Sequence, residues 1–92
     1  MRITYDEDKR RKVLAERGLD FNDAAGLFDK FHLTKRDDRD YEEDRFRTVG
    51  ELNGEVVLVV WTLRDESRRI ITMWKLDYGE SERYYRRRDG SG

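Results

Sequence analysis

The sequence contains no cysteine and only one histidine, His32. Without cysteine there is no disulfide framework, no thiolate metal site and no thiol nucleophile. That composition suits a reducing compartment, so a cytoplasmic protein is expected. No apolar run approaches the roughly 20 residues that a spanning helix needs, and no signal-peptide pattern opens the chain, so no membrane association is expected. Motifs of familiar chemistry are missing too: there is no glycine-rich phosphate loop, no His-Glu-x-x-His pair and no Gly-x-Ser-x-Gly elbow. Carboxylates abound but lack metal-ligand spacing. "DDRD" (Asp37 to Asp40) has neither the glycine nor the distal glutamate of a calcium loop and reads as a solvated segment. No metal and no cofactor are expected. The lone His32, in "KFHLT", is read as structural.

What the sequence has is charge. Of 92 residues 45% are charged, 20 basic against 21 acidic, and the net charge of -1 conceals a polarised layout. Residues 37–44 carry six carboxylates against Arg39, whereas residues 68–88 carry seven cations against three acids. The basic end is the candidate polyanion surface; the bland alternative is two solvated faces of a small protein. Apolar residues concentrate in 56–63 and 70–76, which predicts a folded core inside a charged shell. The length allows one domain, residues 1–88, and the closing "DGSG" (89–92) reads as a disordered tail.

Local signals then divide the chain. Arg2 to Tyr5 is expected as a short edge strand. Asp6 is placed to cap a helix running to Arg17, with Gly18 as its stop. Asp20 is placed to cap a second helix with Phe21, Ala24, Ala25 and Phe28 on one stripe. "FHLT" is a candidate strand, and the acidic stretch after it a loop. Residues 45–52, 55–64 and 67–76 read as three strands joined by turns at Asn53-Gly54 and Asp65-Glu66, and Asp77 opens a final helix to about Arg88.

These turns set a register that pairs Leu52 with Glu55, Phe46 with Trp61, Trp61 with Ile70 and Val57 with Trp74. One face then holds Val49, Val56, Leu58, Val60, Ile71 and Met73, with Arg45, Arg47, Thr62 and Arg69 at one end. That aliphatic face is expected under the N-terminal helices. The other holds Phe46, Thr48, Val57, Val59, Trp61, Ile70, Thr72, Trp74 and Leu76. An aromatic face beside a basic helix can stack bases while cations hold phosphates, and it can equally receive a partner protein. The remaining chemistry is cationic. Arginine and lysine grip a phosphodiester and stabilise its developing charge, while RNA supplies its own 2′-hydroxyl nucleophile. The candidate catalytic residues are Arg64, Arg69, Lys75 and Tyr84, and the candidate RNA-binding residues are Arg45, Trp61, Trp74, Arg83 and Arg87.

The order of local motifs adds a resemblance. "RGLDF..AA" at the helix junction, "R...VG" at Arg45 to Gly50, and "T.R....RIIT" at Thr62 to Thr72 resemble the BrnT toxins of bacterial type II toxin–antitoxin modules, in the RelE/ParE-like superfamily. The spacing from Arg69 to Glu80 and Tyr84 resembles the family's closing helix. The resemblance spans about Ile3 to Tyr85. It implies an α+β, RelE-like fold: two N-terminal helices on an antiparallel sheet of about four strands, with a C-terminal helix. It implies a metal-independent ribonuclease that cuts RNA to inhibit translation and growth. A cognate antitoxin with a ribbon-helix-helix part would neutralise it, and operator DNA would be bound only through that antitoxin. The chain departs from the family pattern at Trp61, where the family usually has histidine, and at Trp74, where it usually has a basic residue; Arg17 and Glu7 also differ. The runner-up reading is therefore a catalytically weak or inactive member that serves as the antitoxin-binding subunit of an autorepressor complex. A plain RNA-binding domain is the third.

Overall fold

The Asp6 carboxylate accepts the Lys9 backbone N–H at 3.2 Å and opens helix α1 (Glu7–Arg17). The helix stops at Gly18, whose φ of 69° puts it in the left-handed conformation that glycine adopts without steric cost. The computed structural model in which these contacts occur describes residues 1–39 and 42–90. The expected disordered tail lies outside the described residues for Ser91 and Gly92, and the acidic loop for Asp40 and Tyr41. Asp89 closes the C-terminal helix by donating its N–H to the Tyr85 carbonyl at 2.9 Å.

Asp20 caps the second helical segment as expected, accepting the Asn22 N–H at 2.9 Å. That segment is not one regular helix, however. It is a 3₁₀ turn (Phe21–Asp23) followed by the five-residue helix α2 (Ala24–Phe28). A 3₁₀ turn has three residues per revolution, so it rotates the inward stripe. Leu27 takes the buried place that simple periodicity gave to Ala25, beside Phe21, Ala24 and Phe28.

Five strands follow the chain as β1 (Arg2–Tyr5), β2 (His32–Asp37), β3 (Arg45–Leu52), β4 (Glu55–Arg64) and β5 (Ser67–Lys75), and helix α3 (Tyr78–Arg88) closes it. Their order in the sheet is β1-β5-β4-β3-β2. The expected sheet of about four antiparallel strands is thus five-stranded and mixed, because β1 joins as an edge strand parallel to β5. Both hairpin turns have positive φ at their two central residues, 50° and 82° at Asn53-Gly54 and 51° and 61° at Asp65-Glu66. This backbone matches the twist of the flanking strands, and it fixes the β3–β4 pairing as predicted.

The β4–β5 register departs from the prediction halfway. Trp61 pairs with Ile70, but Val60 pairs with Thr72, so Ile71 is an extra residue in a β-bulge. Beyond it every partner shifts by one: Val57 faces Lys75 instead of Trp74, and Trp74 faces Leu58. Met73 and Trp74 thereby exchange sides. Met73 joins Val57, Val59, Trp61 and Ile70 in the core, and Trp74 stands on the opposite face.

The helices also choose the other face. Val13, Leu19, Phe21, Ala24, Leu27 and Phe28 pack on the aromatic side of the sheet, not on the aliphatic side. The physical reason lies in the polar atoms. Thr48 is fully buried, yet its hydroxyl accepts the Trp61 indole N–H at 2.8 Å and meets the Thr34 hydroxyl at 2.8 Å. Its hydrogen-bonding capacity is met inside the sheet, so that face can be sealed at no desolvation penalty. The aliphatic face ends in arginines that no helix could bury cheaply. It is left to α3, which covers its other end through Tyr85 and Arg88 on Glu51, while Arg17 of α1 reaches across to Thr72. Among the described residues no helix is long and apolar enough to cross a membrane.

Candidate functional site

The pairing register places two rows of side chains across the face that α1 and α2 do not cover. One row runs Asp37, Arg45, Thr62, Arg69 and Thr4; the next runs Lys35, Arg47, Val60 and Thr72. Arg64 lies two residues past Thr62, on the same side of β4. Arg45, Arg64 and Arg69, from three strands, therefore gather at the end of the face away from α3, with Lys35 and Arg47 one row nearer the helix. Asp37, in register with Arg45, is buried and takes Arg39 at 2.8 Å.

Helix α1 adds two more cations. Arg17 donates one guanidinium nitrogen to the Thr72 hydroxyl at 3.0 Å and to the Met73 carbonyl at 2.7 Å. It reaches that carbonyl where β1 no longer flanks β5, because β1 pairs only with residues 67–70. Lys9 comes from the first turn. Its pKa is lowered by burial and then by the charges of Arg45 and Arg17, with Asp6 opposing. An ammonium among guanidinium groups loses its proton more easily than a solvated one.

Several other cations of the surface are neutralised locally. Arg10 holds Asp20 at 2.9 Å, Arg36 holds Asp44 at 2.7 Å, Arg64 holds Glu43 at 3.1 Å, and Lys75 holds Glu55 at 3.0 Å. Among the described residues, Arg47 and Arg69 make no ion pair and no side-chain hydrogen bond. Their charge is available to an outside anion.

The predicted catalytic residues divide into two groups. Arg64 and Arg69 stand together at the cationic end. Lys75 lies six residues farther along β5, roughly 20 Å away at the rise of a strand. Tyr84 is buried under α3, and its hydroxyl donates to the Phe31 carbonyl at 3.0 Å. Its pKa is raised by burial first and by Glu51 second. Neither Lys75 nor Tyr84 meets Arg69.

The RNA-binding candidates divide as well. Arg45 is in the cationic row, and Trp74 is half-buried on the open face. Arg83 and Arg87 project from α3 into solvent. Trp61 is a correction: it is 8% exposed, stacked on Phe46 at 4.8 Å and met edge-on by Phe28 at 5.7 Å, so no base can reach its ring. Arg68, adjacent to Arg69 in sequence, points to that sealed side. Its guanidinium lies 3.9 Å over the Phe28 ring and 5.2 Å from Trp61. His32 is structural, held edge-on to Phe28 at 5.5 Å with Nδ1 at 2.8 Å from the Lys30 carbonyl.

Sequence reasoning missed Lys9, Arg17 and Arg47 as site residues. Lys9 sits in "KRRK", which an amphipathic helix assigns to solvent; only the short β1, which ends α1's approach beside β5, brings it to the sheet. Arg47 was placed on the right face, but under helices that pack elsewhere.

Residues 5–80 match the sequence profile of the family described as "Ribonuclease toxin, BrnT, of type II toxin-antitoxin system". No curated protein matches the chain.

Proposed function

The chain belongs to the BrnT family of ribonuclease toxins of type II toxin–antitoxin systems, and from that premise we propose that it cuts RNA at the cationic end of the open sheet face. The observation that carries this is the row Arg45–Thr62–Arg69 beside Arg47, where two arginines have no carboxylate partner on a face left uncovered by α1 and α2.

The reaction needs three things of the protein. Arg69 and Arg47 hold the scissile phosphate and stabilise the charge that builds on its oxygens as the 2′-oxygen attacks phosphorus. The P–O5′ bond then breaks, which leaves a 2′,3′-cyclic phosphate and a 5′-hydroxyl. One proton leaves the 2′-hydroxyl and one is delivered to the 5′-oxygen. Lys9, with its lowered pKa, is the group suited to deliver it. Arg17, fixed on Thr72 and Met73, keeps positive charge beside that lysine. On this reading the fold, with N-terminal helices on one face of a sheet and a C-terminal helix on the other, is a variant of the RelE-like arrangement. Its partner would be a cognate antitoxin of ribbon-helix-helix type that also carries the pair to operator DNA, in the cytoplasm.

One observation favours a second reading. Trp61, where the resemblance implies histidine, is locked into the core by Phe28, Phe46 and Thr48. A chain that gave up that imidazole would serve as an antitoxin-binding subunit with weak cleavage. Induction in a bacterium separates the two. The ribonuclease reading expects growth arrest that Arg69→Ala abolishes; unaltered growth with the folded wild-type chain present supports the second reading instead.

A further inference from the structure

Beside the cationic rows the same face carries a groove of about 490 Å³ between α3 and strands β2 to β4. Its floor is aliphatic: Leu33, Val49, Leu58 and Leu76. Lys35 and Arg47 line it on the sheet side and Arg87 on the helix side, with Glu80 as the one carboxylate. The volume falls in the range of small-molecule sites, and an apolar bed ringed by a few charged groups is their usual composition.

We propose that this groove is the subsite for one nucleobase of the RNA strand whose phosphates Arg47 and Arg69 hold. The inference rests on the ribonuclease reading and adds to it where a base would go. Two features point to a nucleic acid as occupant. First, the rim is cationic, three positive groups against one negative, and Lys35, Arg47 and Arg87 have no ion pair among the described residues. Second, Arg47 belongs to both places: it stands in the row next to Arg69 and also walls the groove. A strand laid along the arginines reaches the groove without leaving the face. Each nucleotide offers the matching pair of surfaces, a flat ring for the aliphatic floor and a phosphate for the rim. Glu80 can accept from an amino or imino N–H on the base edge. Trp74, paired with Leu58 across the hairpin, supplies a half-exposed indole next to this bed.

The test uses the full chain and an eight-nucleotide, fluorescein-labelled 2′-O-methyl RNA, which lacks the free 2′-hydroxyl and is not cut. A second oligonucleotide has the same backbone with abasic riboses. Fluorescence anisotropy at fixed salt should show the base-bearing strand binding about fivefold tighter, the low end of what a base stacked on aromatic side chains contributes and what an aliphatic bed with one indole beside it can match. Val49→Phe, which fills the groove, should reduce that preference to near unity while leaving the abasic strand's affinity unchanged. Arg87→Ala, at an exposed position, should weaken both strands alike and reduce the log–log salt slope by about 0.7, one phosphate contact of a single strand. Salt-dependent binding of both strands with no preference, or a preference that survives a folded Val49→Phe, overturns the base subsite and leaves the arginine rows standing. Absence of binding by either strand overturns both.

Discussion

Adjacent residues on β5 carry opposite duties. Arg68 points into the sealed side, stacked on Phe28, with its Nε buried and no hydrogen-bond partner among the described residues. Burial lowers its pKa, and Asp29 partly offsets that. Arg69 stands on the open side in register with Thr62. Arg68→Ala should therefore cost stability, by about 1–2 kcal/mol for a lost cation–π contact and its packing, read in a urea melt. Arg69→Ala should leave the melt unchanged and lower RNA cleavage by about 10²–10³-fold, the usual loss when one donor to a developing oxyanion is removed. Lys9 gives a pH prediction. Its folded pKa lies below the ordinary lysine value, and as a proton donor it acts while charged. Cleavage should fall as pH rises through that lowered pKa. Lys9→Gln should remove this alkaline limb, and Lys9→Arg should move it upward. A limb unchanged in Lys9→Gln would assign the proton to another group.

Among the elements, the caps and turns were legible from residue identity alone. Asp6, Gly18, Asp77 and Asn53-Gly54 each act through contacts within a few residues, and each lies where the sequence put it. The bulge at Ile71 was not legible, because it depends on packing across the sheet and not on a local signal. One missed residue exchanged Met73 and Trp74, and with them the idea that both indoles share a surface. The choice of face was hidden for a similar reason: alternation sorts side chains into two sets but does not say which set the helices will cover. Gly50 shows how closely the second segment settles. A Cβ there would lie 2.6 Å from Leu27 Cγ, and Leu27 is fully buried. Gly50→Ala should destabilise the fold by about 1–3 kcal/mol through overpacking, measurable by thermal or chemical denaturation. An unchanged melt would mean that α2 moves freely on β3.

At the scale of the molecule, the formal charge of -1 says little about binding, since several surface cations, Arg36, Arg64 and Lys75 among them, are held by nearby carboxylates while Arg47 and Arg69 on the sheet are not. The resemblance read from short motifs agreed with the family match over residues 5–80, while the placement of the site needed the topology. A strand bound through a few localised phosphate contacts should lose affinity steadily with salt, with a log–log slope near −0.7 per contact for single-stranded RNA. A flat salt response would remove the cationic rows from the binding surface. The most direct measurement of the central claim is cleavage of a single-stranded RNA by the purified chain in a chelating buffer, with Arg69→Ala run beside it. The expected products end in 2′,3′-cyclic phosphate and 5′-hydroxyl and vanish in the folded Arg69→Ala variant; cleavage that proceeds equally in that variant, or that stops when divalent ions are chelated, would contradict it.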